Sequence, residues 1–168
     1  MELKKLANNL LIFGFNRFVE ILGVCIFIIG ILLLVSLNSF SPDDPNFIFP
    51  ESTQIKNLLG YRGSFSADIF FQSFGITSLL IPFSLMFTGI NITLSKKISL
   101  IIESNFFTIL YLLCGSLFFS IFYTNAFELY INGNGGFIGK FLETTFLNSL
   151  MNSNTYFTYY LSILLIMV

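Results

Sequence analysis

One glycine-rich segment of this sequence resembles a motif that carries out chemistry. Residues 133–141 read GNGGFIGKF, and a phosphate-binding P-loop requires the order G-x-x-x-x-G-K-S/T. Two positions break that order. Asn134 stands where the first glycine belongs, and Phe141 replaces the hydroxyl residue that would hold Mg²⁺. We therefore predict no nucleotide site here and no cofactor in this segment.

Other catalytic groups are equally sparse. The chain has no histidine, which excludes His-based metal sites, Ser-His-Asp triads and imidazole bases. Its two cysteines, Cys25 and Cys114, lie in apolar runs and form no CxxC pair, so we predict neither a disulfide nor a redox role. The eight Lys and Arg residues are scattered and form no basic stripe for DNA. These features predict a non-catalytic segment without a metal site.

The elements that carry these residues must lie in a membrane. Of the 168 residues, 55% are hydrophobic and only 10% are charged, whereas globular chains average about 25% charged residues. A chain this short has too little interior to hide so much apolar surface from water. The composition therefore predicts an all-α membrane protein in a lipid bilayer.

Three long apolar runs predict transmembrane helices at about residues 18–37, 69–90 and 104–123. The first could also be read as a signal peptide, but its apolar core is too long and no cleavage site follows it. Pro82 lies near the middle of the second run and predicts a bend there. Ser116 and Ser120 in the third run are spaced for close helix packing, although a lipid-facing helix with a few small residues explains them equally well.

A fourth apolar run, residues 156–168, predicts a truncated transmembrane helix. Its 13 residues would reach only about 20 Å of the roughly 30 Å that a span requires. We therefore expect the chain to be the front part of a longer protein.

Positive charges beside the runs predict the orientation of the chain. The positive-inside rule places the N-terminus in the cytoplasm and residues 38–67 in an outer loop. Five of the eight basic residues then fall on the cytoplasmic side: Lys4, Lys5, Arg17, Lys96 and Lys97.

Two acidic residues lie near the predicted ends of the spans. Glu20 is three residues from Arg17 on the same helical face, so the two side chains can pair. Asp68 immediately precedes the second run, where a carboxylate suits the N-terminus of a helix. We predict structural roles for both rather than a proton or ion path.

The second outer segment predicts an amphipathic helix at about residues 136–151. It would lie on the outer membrane surface or be tucked into the bundle, with Lys140 and Glu143 facing away from its apolar side. The apolar side chains that recur at helical spacing are Phe137, Ile138, Phe141, Leu142, Phe146 and Leu150.

Four short motifs occur in order along the chain. They are an Arg-x-x-Glu-x-x-Gly start of the first helix, a turn of the Ser-x-x-Pro-x-Asp-Pro type with slightly different spacing, a Gly-x-x-Gly-x-x-x-Ala-Asp approach to the second helix, and a Gly-Gly-x-x-Gly start of the outer helix. Together they resemble the N-terminal membrane domain of the FtsK/SpoIIIE family of bacterial DNA translocases. The matching residues are Arg17, Glu20, Gly23, Ser41, Pro42, Asp44, Pro45, Gly60, Gly63, Ala67, Asp68, Gly135, Gly136 and Gly139, with Gly75 and Pro82 beyond the third motif.

This resemblance implies a four-span anchor in the bacterial inner membrane that forms a homo-oligomer and contacts other division proteins at the septum. It also implies that a motor using ATP and Mg²⁺, and the DNA-binding region, follow Val168 in the full-length protein and act in chromosome segregation. For this chain it implies structural roles for the matched residues and no catalytic ones.

A small transport or channel subunit is the alternative. Such a protein needs polar or charged groups at mid-membrane depth and often broken helices. Only Pro82 and a few Ser and Thr residues meet that requirement here.

Overall fold

The computed structural model describes residues 2–45, 54–123, 132–147 and 155–167. These residues form six α-helices, with a 3₁₀ segment between the second and third and a π-helical turn after the fifth, and they contain no strand. The elements are α1 (Glu2–Asn38), α2 (Gly60–Phe74), the 3₁₀ segment (Gly75–Leu79), α3 (Leu80–Ser95), α4 (Ser99–Phe122), α5 (Gly136–Leu142), the π turn (Glu143–Leu147) and α6 (Thr155–Met167).

The predicted all-helical membrane fold is confirmed, with three stretches long and apolar enough to cross a bilayer: Lys4–Asn38, Gly60–Ser95 and Ser99–Phe122. All three begin before the residues predicted from hydrophobicity. The first stretch begins at Lys4 rather than at about residue 18, and the second begins at Gly60, inside the predicted outer loop 38–67. Residues 60–68 are polar and glycine-rich, yet they form a helix because their small side chains bury one face of α2.

Small residues occupy much of the space between the helices, and most large apolar residues face outward, although Val19, Phe71 and Ile92 are buried. Ser36, Ser78 and Ser116 are among the fully buried side chains, whereas Leu94 and Ile102 are about three-quarters exposed (76% and 74%). This is the reverse of a water-soluble core. It follows from the solvent, since lipid is as apolar as leucine and only close packing and hydrogen bonds favour helix association.

The helix irregularity in the second stretch lies upstream of the predicted position. The 3₁₀ segment occupies Gly75–Leu79, and Pro82 lies in the first turn of α3, fully buried. A proline is tolerated in a first helical turn because its missing N–H would have no partner there. The predicted bend at Pro82 is therefore wrong in position, and the glycine at 75 marks the break instead.

The last two predicted elements are shorter or only partly described. The predicted outer helix at 136–151 consists of α5 and the π turn, and residues 148–151 lie outside the described residues. The described part of the fourth run, α6, has 13 residues and packs against α4. Val168 also lies outside the described residues.

Candidate functional site

The middle of α1 crosses α3 with almost no side-chain volume between the two backbones. A Cβ added to Gly23 would lie 2.8 Å from the carbonyl oxygen of Gly89 and 2.4 Å from Oγ1 of Thr93. A Cβ added to Gly89 would in turn lie 2.6 Å from the carbonyl oxygen of Gly23. The glycines at 23 and 89 therefore let the helices touch, and we call this contact the α1–α3 crossing.

The same helix pair remains in close contact farther along. A Cβ on Gly30 would lie 3.0 Å from the carbonyl oxygen of Pro82 and 2.8 Å from Cγ of Met86. Because Gly23 meets Gly89 while Gly30 meets Pro82, the two helices run antiparallel. Pro82 thus contributes to helix packing, a role distinct from the bend that the sequence predicted.

A cluster of ion pairs lies at one end of the α1–α3 crossing. The side chain of Arg17 pairs with Glu20, as the sequence predicted, and Nζ of Lys96 lies 3.0 Å from the other oxygen of Glu20. Lys96 is the left-handed residue that ends α3, with φ of 58°. The cluster joins α1 to the end of α3. Sequence spacing identified Arg17 as a partner of Glu20, but it did not identify Lys96, which is distant along the chain.

The segment between α1 and α2 is organised by one buried carboxylate. Asp44 is 3% exposed and accepts hydrogen bonds from the backbone N–H groups of Lys56 and Asn57, both at 2.8 Å. Pro45 is also buried, and its carbonyl accepts a hydrogen bond from Oγ of Ser64 at 2.9 Å, whereas Pro42 is exposed. The proline–aspartate turn thus joins the start of α2 through Asp44 and Pro45.

Asn57 connects this turn to both helices. Its Nδ2 donates to the carbonyl oxygen of Ser36 at 2.8 Å, and its Oδ1 accepts from the N–H of Leu59 at 3.1 Å. Oγ of Ser36 donates to the carbonyl oxygen of Gly63 at 2.6 Å. A Cβ on Gly63 would lie 2.2 Å from Oδ1 of Asn57, so no larger residue fits. We call residues 36–45 with 56–64 the α1–α2 turn.

Two further features complete the α1–α2 turn. Gly60 begins α2 with φ of +66°, a conformation that favours glycine, although its surroundings are open. On the surface, Nζ of Lys56 lies 2.8 Å from a carboxylate oxygen of Asp43. That contact holds the pKa of Asp43 below its ordinary value and the pKa of Lys56 above its own.

A second joint, which we call the glycine junction, surrounds the break before α3. Gly75 has φ of +61°, and a Cβ there would lie 1.9 Å from the carbonyl oxygen of Asn134. That carbonyl accepts a hydrogen bond from the N–H of Ile76 at 3.0 Å. Gly136, with φ of +65°, packs against the backbone of Ser73 and Gly75. The resemblance included Gly75, but its contact with residues 134–136 has no signal in the sequence.

Helix α4 forms the other wall of the glycine junction. A Cβ on either Gly135 or Gly139 would lie 2.3 Å from the carbonyl oxygen of Ser116. Oγ of Ser116 lies 2.9 Å from Oγ1 of Thr77 and donates to the carbonyl oxygen of Phe74 at 3.1 Å. Ser116 therefore joins α4 to both the 3₁₀ segment and α5. The sequence left open whether Ser116 packs closely against another helix or belongs to a lipid-facing helix. In the structure it packs closely.

The orientation of α5 differs from the predicted one. Its bundle-facing side carries Gly136 and Gly139, and the next residue on that side, Glu143, accepts a hydrogen bond from Oγ of Ser120 at 2.5 Å. Phe137 and Phe141 are 59% and 53% exposed. The expectation that Glu143 faces away was wrong, because small residues and not the apolar ones fill the space beside α4.

Asp68 also has a different setting from the predicted one. Because α2 begins at Gly60, Asp68 lies in the middle of that helix rather than at its N-terminus, and it is only 5% exposed. Gln72 follows one turn farther along α2, and its Oε1 accepts a hydrogen bond from Nδ2 of Asn132 at 3.3 Å, which links α2 to the glycine junction.

The contacts described above join helices to one another. Within the described parts of the chain, no three His, Cys, Asp or Glu side chains come together to hold a metal. Sequence reasoning missed the partners of the matched residues, and a polar side chain within an apolar run could have indicated Ser36 alone among them. The other missed partners are Asn57, Gly89, Lys96 and Asn134.

Comparison with known proteins agrees with this architecture. Residues 16–168 match the family described as the 4TM region of DNA translocase FtsK/SpoIIIE. The chain is 33% identical to DNA translocase FtsK of Rickettsia prowazekii over 72 residues, which are 43% of the chain and 10% of that protein. It is 29% identical to DNA translocase FtsK of Shewanella oneidensis over 132 residues, which are 75% of the chain and 14% of that protein.

The matched region is thus about a tenth of the length of these relatives. No solved structure matches the chain. The family match nevertheless covers the second and third membrane-crossing stretches, the first from residue 16 onward, and every motif residue named above. The chain therefore belongs to the family of the 4TM region of DNA translocase FtsK/SpoIIIE.

Proposed function

We propose that this chain anchors a DNA-translocating motor in the bacterial inner membrane. The observation that carries the proposal is the family match over residues 16–168, which coincides with a bundle built for helix packing. The relatives that match it are named DNA translocases. In this proposal the motor uses ATP and Mg²⁺ and contacts DNA, while the membrane segment itself carries out no catalysis.

The proposed anchor has its N-terminus in the cytoplasm, acts at the division septum, and forms a homo-oligomer that contacts other division proteins. The distribution of the basic residues supports the orientation, and the family resemblance supports the rest. The channel alternative is less well supported, since the family match favours the anchor and Asp68 is the buried charged residue in the described membrane-crossing stretches.

Cysteine labelling tests the orientation. With Cys25 and Cys114 replaced by alanine, single cysteines at Leu58 and Ser99, both exposed, are treated in intact spheroplasts with a maleimide that does not cross membranes. We expect the Leu58→Cys label to appear at once and the Ser99→Cys label only after permeabilisation. The opposite pattern would refute a cytoplasmic N-terminus.

Substitutions in the glycine junction test the anchoring role. In the full-length protein, Gly139→Val should impair membrane folding and remove the septal signal of a fluorescent fusion, because its side chain would collide with the backbone at Ser116. ATP turnover by the motor should persist. Gly63→Val, in the α1–α2 turn, should likewise impair membrane folding and remove the septal signal, because its side chain would collide with Asn57.

Gly14→Val is the matched control, since no atom lies within 4 Å of a Cβ at Gly14. Loss of ATP hydrolysis with normal septal localisation of Gly139→Val would contradict the anchoring role.

A further inference from the structure

Helix α1 is too long for the membrane that it crosses. Its 37 residues span about 55 Å, whereas the hydrocarbon core is about 30 Å thick. The partner helix α3 ends at Ser95, and the next residue, Lys96, pairs with Glu20. The part of α1 before this ion pair therefore extends beyond the paired helices.

This extension, Lys4–Phe15, which we call the N-terminal arm, is exposed along its length. Its first two turns have two distinct sides. Leu6, Leu10 and Leu11 are 61%, 62% and 72% exposed and share one side at helical spacing. The opposite side carries two lysines and two asparagines: Lys4, Lys5, Asn8 and Asn9.

The remainder of the arm is apolar all around. Ile12, Phe13 and Phe15 are each more than half exposed (52%, 59% and 54%). Such a helix segment is stable only where lipid or protein covers it. The arm thus changes from two-sided to fully apolar toward the ion pair, as expected for a helix that approaches a bilayer from its surface.

Gly14 lies in the apolar part of the arm and differs from the other glycines of α1. Gly23 and Gly30 are in close contact with α3, whereas nothing lies within 4 Å of a Cβ built on Gly14. A helix-interior glycine costs about 1 kcal/mol relative to alanine. No packing contact accounts for a glycine at position 14. The other property that glycine offers is backbone flexibility, which allows the helix to change direction there.

We propose that the N-terminal arm bends at Gly14 and lies on the membrane surface, with its leucines in the acyl-chain boundary and its lysines at anionic headgroups. Helices of this composition insert their apolar side about 5–10 Å into that boundary. Positive charge at Lys4 and Lys5 complements phosphatidylglycerol. The family match begins at residue 16, so the arm lies outside the region that this chain shares with the 4TM family.

Two cysteine variants of the whole chain, reconstituted in vesicles containing phosphatidylglycerol, test this placement. Leu10→Cys and Asn8→Cys, in a background without Cys25 and Cys114, carry the same fluorophore on opposite sides of the arm. We expect a lipid-soluble nitroxide to quench the Leu10→Cys label at least about three-fold more strongly than the Asn8→Cys label. Iodide in the water should show the reverse preference.

Two outcomes would overturn the proposal. Equal, strong quenching of both labels by iodide would mean that the arm projects into water. Protection of both labels from both quenchers would mean that the arm is covered by protein, such as a second copy of this chain.

The lysines provide a separate measure. Replacing phosphatidylglycerol by phosphatidylcholine, or making Lys4→Gln and Lys5→Gln together, should lower the ratio of membrane-bound to free arm by about five-fold per lysine. Gly14→Ala should weaken the difference between the two labels, because it stiffens the helix. A lipid-independent ratio would refute the electrostatic part of the proposal.

Discussion

The α1–α3 crossing and the α1–α2 turn hold the same helix by different means. At the crossing, Gly23 and Gly89 bring two backbones together, and no side-chain hydrogen bond joins α1 to α3 at these two glycines. At the turn, Asp44 and Asn57 satisfy backbone groups that no helix pairs. The difference shows that helix packing suffices where the backbone is regular, whereas a chain that leaves its helix needs side-chain partners for its polar groups.

The glycine junction combines both means at the point where a helix breaks. Gly135 and Gly139 pack against the carbonyl of Ser116, as in the crossing, and Asn134 accepts the freed N–H of Ile76, as in the turn. Non-helical backbone in a membrane protein is tolerated where protein satisfies its hydrogen bonds. Residues 132–136 therefore supply a hydrogen-bond acceptor for the backbone of the 3₁₀ segment, as Asp44 does for the backbone of the α1–α2 turn.

The largest effect is expected at the crossing. Gly23→Val would place side-chain atoms against two backbone atoms, the oxygen of Gly89 and the nitrogen of Thr93, and should lower the free energy of unfolding by about 3 kcal/mol. Denaturation in detergent micelles, followed by circular dichroism, measures the loss.

Gly14→Val in the same helix is the control, since its Cβ meets nothing. It should change the free energy of unfolding by less than about 0.5 kcal/mol. Equal losses for both variants would show that helix propensity, and not close packing, governs the crossing.

The next largest effect is expected at the α1–α2 turn. Asp44→Ala removes the acceptor of two backbone N–H groups, the buried one of Asn57 and the part-buried one of Lys56, which should cost about 2 kcal/mol. Asp44→Asn retains one oxygen and should lose less. Asp43→Ala, one residue away on the surface, should leave the melting temperature nearly unchanged. If Asp43→Ala were as damaging as Asp44→Ala, the hydrogen bonds of Asp44 would not explain the turn.

A smaller effect is expected for the hydroxyl pair at the glycine junction. Ser116→Ala removes the hydrogen bonds to Thr77 and to the carbonyl of Phe74, and hydroxyl bonds between membrane helices average about 0.6 kcal/mol. A double-mutant cycle with Thr77→Val isolates their coupling. Ser66→Ala is the control, because Ser66 bonds only to its own helix, at the carbonyl of Arg62. A coupling of zero would assign the role of Ser116 to backbone packing alone.

The sequence predicted helices that cross a membrane because lipid imposes a length and a composition on any helix that spans it, although the three stretches begin earlier than predicted. It predicted the inner faces poorly. Phe137 and Phe141 have the spacing that marks a buried face in a soluble protein, but they are exposed, and Gly136 and Gly139 are buried instead. In lipid the apolar side loses nothing by facing outward, so apolar periodicity does not identify the packed side.

Motif glycines were recognisable from the sequence, whereas their partners were not. Gly63 and Gly139 belong to patterns that resemble the family, but their contacts, Asn57 and the carbonyl of Ser116, are six and 23 residues away along the chain. Where a glycine lets two backbones approach closely, the backbone opposite the glycine needs no particular side chain. The sequence therefore does not identify that partner. The same reason hid Gly89 opposite Gly23 and Asn134 opposite Gly75.

The surface pair Asp43–Lys56 provides the smallest expected effect and a test of how the α1–α2 turn depends on pH. The pKa of Asp43 is lowered by its hydrogen bond and charge contact with Lys56, so its contribution to stability is present above the ordinary pKa of 3.8 and is lost as pH falls through the lowered value. The pKa of Lys56 is raised by the same contact, so its contribution is present below the ordinary pKa of 10.5 and is lost as pH rises through the raised value.

The difference in melting temperature between the unmodified chain and Lys56→Gln should therefore be small and constant between those two pKa values, and should vanish at both extremes. Salt should reduce it, because both groups are in water. Asp44→Ala should keep its larger deficit in salt, since the bonds it removes are buried. If salt reduced both deficits alike, the α1–α2 turn would depend on surface charge, and its contrast with the α1–α3 crossing would be one of solvent exposure alone.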